Sequence, residues 1–214
     1  MSEVLTPKVM SVLRAMYAEL GKWYYTRELA KLANVSTWVV SKQFARLVED
    51  EMVRRRSEGR EKFYRLNLLN AKTRKICELF EAERRERFFK ENRRLAWILE
   101  DFTKRASEFV PEVQSAVLFG STARGQATPR SDVDVMILVP NYEGERFKNL
   151  MSAVDQLASE VSGRHTGKLV PVVMTMRDFE QSLKDNKRFA ADVLKDGVVL
   201  YGEERYYHLL SKVI

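Results

Sequence analysis

Two aspartates at a spacing of two, Asp132 and Asp134, follow a glycine-serine pair, Gly120-Ser121, with ten residues between Ser121 and Asp132. On a strand that spacing puts both carboxylates on one face, where they can share a divalent cation or hold two. A glycine followed by serine lets the backbone approach a phosphate closely, and the N–H groups of the next helical turn point at it. Phosphates beside two carboxylates repel unless a cation stands between them. The residues therefore point to Mg²⁺ or Mn²⁺ with a nucleoside triphosphate, and to phosphoryl or nucleotidyl transfer by metal-assisted in-line displacement. Arg124 and Arg130 are further candidates for phosphate contact, each with a plain surface charge as the alternative.

Such groups need strands and a turn to hold them. Val113 to Phe119 is apolar and reads as a strand, Ser121 to Gln126 as a helical turn, and Asp132 to Val139 as a second strand. Gly144 to Ser162 carries Phe147, Leu150, Val154, Leu157 and Val161 at helical spacing. Lys168 to Thr175 reads as a third strand, in which Pro171 requires a free edge or a bulge. Two short helices, Arg177 to Lys184 and Lys187 to Leu194, precede a last strand, Val198 to Tyr201. Before the first strand, Leu95, Ile98, Leu99, Phe102, Ala106 and Phe109 form one helical face, closed by Pro111. Residues 95–214 are thus expected to form one domain of an α+β chain.

Gly120-Ser121, Ala123-Arg124-Gly125 and Ser131-Asp132-Val133-Asp134 ahead of an apolar strand resemble the signature of the minimal nucleotidyltransferases in the polymerase-beta-type superfamily. The closing Asp196-Gly197-Val198-Val199-Leu200-Tyr201-Gly202 is also similar to the end of many such domains. The resemblance implies a mixed sheet with flanking helices. It also implies triphosphate held at Gly120 and Ser121, metal ions on Asp132 and Asp134 as the catalytic pair, and ATP as the expected nucleotide. Proteins of this kind often form one half of a toxin–antitoxin pair and modify a partner protein or a tRNA. A third carboxylate is implied on the strand beside the aspartates. Lys168 to Thr175 holds none: Val170 and Val172 stand where it is expected, and Asp178 and Glu180 follow the strand. The chain is therefore expected to bind nucleotide, while its catalysis depends on that missing acid; the alternative is a regulator whose weakened domain senses nucleotide or mediates dimerisation.

The first third has a different character. Thr6-Pro7 opens a helix carrying Val9, Leu13, Met16, Tyr17 and Leu20, ended by Gly21. An extended Trp23-Tyr24-Tyr25 leads to a helix capped by Thr26, and Asn34-Val35 turns into another capped by Ser36 whose inner face is Val40, Phe44, Leu47 and Val48. Met52 to Arg56 and Lys62 to Leu66 read as strands about the turn Ser57 to Arg60, with Gly59 able to take positive φ. The pattern resembles a winged helix-turn-helix of bacterial and archaeal regulators, assigned to residues 1–69. That resemblance implies double-stranded DNA as partner. The outer helix face, Trp38, Ser41, Lys42 and Ala45 with Arg46 at its margin, would enter a major groove, and the wing's Arg54, Arg55, Arg56, Arg60, Lys62 and Arg65 would meet phosphates. A solvated hairpin is the plainer alternative.

Residues 70–94 read as a charged helical connector with too few apolar points for an independent helix, which suggests packing on a neighbour or a partner subunit in a homodimer. Charge follows the same division. The net charge of +7 is +5 over residues 1–70, +3 over 71–110 and −1 over 111–214, so the basic excess lies where nucleic acid is expected. The lone cysteine, Cys77, sits among helical apolar residues and is expected to pack. No apolar run approaches the roughly 20 residues that span a bilayer, so a cytoplasmic protein without membrane contact is expected.

Overall fold

The computed structural model describes residues 5–128, 131–165 and 167–214, so the expectation for Arg130 lies outside the described residues. The chain divides into two compact units. One is Met1–Phe80 with Leu210–Lys212 and Ile214, the other Glu81–Leu209 with Val213. Among the described residues no helix is long and apolar enough to cross a membrane.

In the first unit α1 (Pro7–Tyr17) starts at Thr6, whose Oγ1 accepts the Val9 N–H at 3.4 Å. The helix closes at Tyr17 rather than Leu20, because the chain turns back and Tyr24 donates its hydroxyl to the Ala15 carbonyl at 3.4 Å. After β1 (Tyr24–Tyr25) come α2 (Thr26–Leu32) and α3 (Thr37–Glu49). Ser36 caps α3 as its position suggests, accepting from the Val39 N–H at 3.3 Å. Thr26 does not cap α2. It is the first helical residue, and its hydroxyl instead donates to the Lys62 carbonyl at 3.3 Å.

The strands β2 (Val53–Glu58) and β3 (Glu61–Leu66) pair as far as Glu58 with Glu61, so the loop is only Gly59-Arg60, tighter than the expected four residues. Gly59 takes φ +59°, as a two-residue hairpin requires at its first loop position. The sheet order is β1-β3-β2, all antiparallel. Val9, Val12, Leu13, Leu29, Val40, Phe44 and Leu47 are buried, and Phe44 meets Tyr64 edge-on with ring centroids 5.1 Å apart.

A helix α4 (Ala71–Glu91) follows, and Cys77 is buried in it, as expected of a packing residue. Leu79 of the same helix is half exposed. The charges are not uniformly solvated either. Glu81 is 2% exposed and accepts the Val199 N–H at 2.8 Å and the Tyr207 hydroxyl at 2.9 Å. Arg84 donates to the Asp196 carbonyl at 2.9 Å, and Arg85 donates to the Val199 and Leu200 carbonyls and pairs with Glu203.

The second unit holds α5 (Arg93–Phe109), β4 (Ser115–Leu118), α6 (Gly120–Ala123), β5 (Val133–Val139), α7 (Gly144–Arg164) and β6 (Leu169–Thr175). Then come α8 (Met176–Lys184), α9 (Arg188–Asp196), β7 (Val198–Tyr201) and a final α10 (Glu203–Leu210) that the periodicity does not suggest. The sheet order is β6-β5-β4-β7, with β5 and β6 parallel and the other pairs antiparallel. Pro171 therefore lies on an edge strand, the place where a missing N–H is tolerated. Alternation sends Val133, Val135, Ile137 and Val139 to one face, where Ile98, Leu99 and Phe102 of α5 and Leu150, Val154 and Val161 of α7 cover them. Phe109 shares the helical spacing of that face but is 68% exposed. It is the last residue of α5, and Val110 and Val113 fill the core there instead. The other face of β5 carries Asp134, and the core on the first face leaves that carboxylate free to serve a site.

Candidate active site

The site is built at the junction of β4, α6 and β5. The Phe119 N–H donates to the Asp134 carbonyl at 3.0 Å, which pins the end of β4 to the start of β5. Gly120 then takes φ +73°, a conformation L side chains rarely adopt. A Cβ there would lie 2.6 Å from Asp134 Oδ2, so the backbone of the turn lies directly against the carboxylate only because residue 120 is glycine. The turn is closed by the N–H groups of Arg124, Gly125 and Gln126 donating to the carbonyls of Gly120, Thr122 and Ser121. Thr122 is buried and donates its hydroxyl to the Asp132 carbonyl at 3.2 Å, fixing the segment that enters β5.

Asp134 is half-buried, and burial, followed by the charge of Asp132, holds its carboxyl above the ordinary aspartate range. Two carboxylates so placed, with a glycine cradle beside them, are hard oxygen donors that fit a Mg²⁺-like cation. A folded-state pKa above the unfolded value means that the folded chain binds more protons between the two, so stability falls as pH rises through that window. Asp134→Asn is therefore expected to raise Tm at neutral pH without metal and to leave it unchanged at a pH below the ordinary aspartate range. Thermal unfolding at the two pH values checks this.

Register decides what faces the aspartates across the sheet. Asp134 pairs with Val170, and Met136 with Val172, so the expected position of a third acid is apolar. Two residues before the Asp134–Val170 pair, Lys168 stands opposite Asp132: its carbonyl accepts the Val133 N–H at 2.8 Å, and its Nζ is 3.7 Å from Asp132 Oδ2. Asp178 is engaged elsewhere. Its carboxylate accepts from Thr175 Oγ1 at 2.7 Å and its N–H donates to the same oxygen at 3.1 Å, as the cap of α8. Among the described residues no group of three His, Cys, Asp or Glu side chains converges to hold a metal.

Ser121 is half-buried in the turn, and Arg124 is exposed with its Nε donating to Gln126 Oε1 at 3.2 Å. His165 pairs with Asp101 at 3.1 Å. Lys168 is absent from the sequence-based candidates, although the alternation Lys168, Val170, Val172 has the same parity as Asp132, Asp134, Met136 and could have marked it. A cavity of about 550 Å³ lies beside the turn, lined by Asn92, Arg94, Leu95, Thr122, Gly125 and Gly167 among others.

In the first unit the expected DNA-facing residues other than Arg65 are on the outside. Trp38 is 63% exposed with Lys42 Nζ 4.6 Å from its ring centre, and Ser41, Ala45 and Arg46 are exposed beside them. Arg54, Arg55, Arg56, Arg60 and Lys62 are exposed on the hairpin, while Arg65 is half-buried. Arg56 and Arg65 both lie over the Trp23 ring, at 4.7 and 4.8 Å.

Residues 97–200, a little under half of the chain, match the family model described as "Nucleotidyltransferase domain". A protein of Methanocaldococcus jannaschii described as "Putative protein adenylyltransferase" is 26% identical over 111 residues, covering 51% of this chain and 74% of that protein. A solved structure described as "Crystal structure of the toxin-antitoxin with AMP-PNP" is 18% identical, covers 53% of this chain and 81% of its own, and superposes with a TM-score of 0.38.

Proposed function

We propose that the chain transfers a nucleoside monophosphate from a nucleoside triphosphate to a hydroxyl, with Mg²⁺ or Mn²⁺ held by Asp132 and Asp134. The observation that carries this reading is the close approach of Gly120 to Asp134, where any larger residue would close the space between turn and carboxylate. ATP as donor and a protein hydroxyl as acceptor are favoured by the relative described as a protein adenylyltransferase; tRNA is the other acceptor class that the resemblance of the sequence implies. Gly120 and Ser121 present the turn to the triphosphate, and exposed Arg124 can swing to its outer oxygens. The cation, when bound, supplies charge neutralisation at the phosphate oxygens and aligns the in-line displacement. The acceptor oxygen bonds to the α-phosphorus as the bond to the β-phosphate oxygen breaks, and pyrophosphate leaves. With Val170 opposite Asp134 the acceptor's proton passes to water or to a base on the acceptor, which costs about 10²–10⁴-fold in rate.

The same Val170 supports a second reading, a regulator whose domain binds nucleotide with little turnover. Incubation with labelled nucleoside triphosphate, Mg²⁺ and cell extract separates the two. Label should pass to an acceptor with the parent and not with Asp132→Ala/Asp134→Ala, and equal labelling by both would overturn the transferase reading.

The N-terminal unit we read as a winged helix-turn-helix binding double-stranded DNA, with a homodimer presenting two copies of α3. The support is the order α1-β1-α2-α3-β2-β3 with a three-stranded antiparallel sheet and the exposed basic hairpin. Replacing Arg54, Arg55 and Arg56 by alanine is expected to weaken duplex binding and to lower the slope of log affinity against log salt by about 0.9 for each phosphate that is no longer neutralised. Titrations at two or more salt concentrations measure it, and an unchanged slope would remove the hairpin from the interface.

A further inference from the structure

Across the parallel pair of β5 and β6, the face that carries Asp132 and Asp134 receives Lys168 and Val170 in the matching positions. A two-ion site needs negative charge there to hold a second divalent cation. This sheet supplies a positive charge beside one aspartate and an apolar side chain beside the other. We infer that the site takes one divalent ion, with the Lys168 ammonium as the second cation beside Asp132.

The placement of Lys168 follows from the backbone. Its carbonyl is hydrogen-bonded to the Val133 N–H at 2.8 Å, so its Cα is held beside Asp132 by the ladder rather than by the side chain's reach. Neighbouring strands lie about 4.8 Å apart, which puts the Asp132 carboxylate within the reach of the lysine side chain. At 3.7 Å from Oδ2 the ammonium lowers the negative potential that a second ion would require. Lys168 is itself mostly exposed, so it can turn from Asp132 to a phosphate oxygen of an incoming nucleotide. Asp134 pairs with no cation among the described residues and keeps its carboxyl for the one ion. Lys168 is thus a positioning residue for charge, acting through Asp132 and the nucleotide.

This inference rests on the transferase reading, and counting ions distinguishes the failure of each. Mn²⁺ bound per chain is measured by equilibrium dialysis and electron paramagnetic resonance, in the presence of a non-hydrolysable ATP analogue. The full-length parent should hold one ion. Val170→Asp, which puts a carboxylate opposite Asp134, should hold two, with Val170→Asn as its folding control at one. Lys168→Met should bind its first ion about two- to five-fold more tightly, since an exposed competing charge of this kind is worth that factor. Two ions on the parent, or unchanged affinity in Lys168→Met, would overturn the inference while leaving the transferase reading standing. No ion on the parent with the analogue present would overturn both. Should Val170→Asp fail to fold, the parent stoichiometry and the Lys168→Met affinity still decide the matter.

Discussion

Glu81→Ala is expected to destabilise the fold by about 3–5 kcal/mol, because it strands two buried donors at once. The Val199 N–H and the Tyr207 hydroxyl both end on this carboxylate, at 2.8 and 2.9 Å, and the residue is 2% exposed. β7 is an edge strand of the second sheet, and Val199 turns its N–H and carbonyl away from β4 toward Glu81 and Arg85. The second half of α4 therefore closes an edge that would otherwise offer free backbone groups to another chain. The same carboxylate, after burial itself, pushes the Tyr206 phenol well above its ordinary pKa, so that tyrosine stays neutral at all working pH values. Tyr207→Phe alone should cost about 1 kcal/mol, and the double variant Glu81→Ala/Tyr207→Phe less than the sum of the two. Urea unfolding of the four proteins gives the coupling, and strict additivity would mean that the two groups do not act together.

Gly120→Ala is expected to lower nucleotide transfer about 10²-fold or more while the chain remains folded. Two costs meet at this position. Alanine at φ +73° is strained by about 1 kcal/mol, and its Cβ, 2.6 Å from Asp134 Oδ2, must push the carboxylate or the turn aside. Misplacement of about 1 Å at a reacting centre costs on the order of 10²-fold. Binding of a fluorescent ATP analogue should fall with it, whereas circular dichroism should be unchanged. A variant that binds nucleotide as the parent does would show that the turn lies outside the phosphate site.

Gly120 and Glu81 differ in how visible they are in the sequence. Gly120, Ser121, Asp132 and Asp134 stand out because a strand, a turn and a strand are local patterns, and a spacing of two sets the face of both carboxylates. Ser36 as a cap, Gly59 in the hairpin and Pro171 on an edge are legible for the same reason: each is a demand of the backbone on its own residue. Thr26, Leu20 and Phe109 depart from expectation where a partner far along the chain decides. Thr26 meets the Lys62 carbonyl, the chain after Tyr17 folds back, and Phe109 runs out of sheet to cover. Glu81 reads as one more solvated charge in EAERRERFFKENRR, although it continues the stripe of Cys77 and Phe80.

A glycine-serine turn, an aspartate pair, a basic first third and the absence of any acid in Lys168 to Thr175 are all legible in the sequence alone. All of these are properties of residue type and short spacing. The pairing that sets Lys168 opposite Asp132 comes from the tertiary structure. Strand alternation gives the parity of each strand but not the register between two strands separated by a 21-residue helix, α7. Long-range hydrogen bonds set that register, opposing Val170 to Asp134 and Lys168 to Asp132.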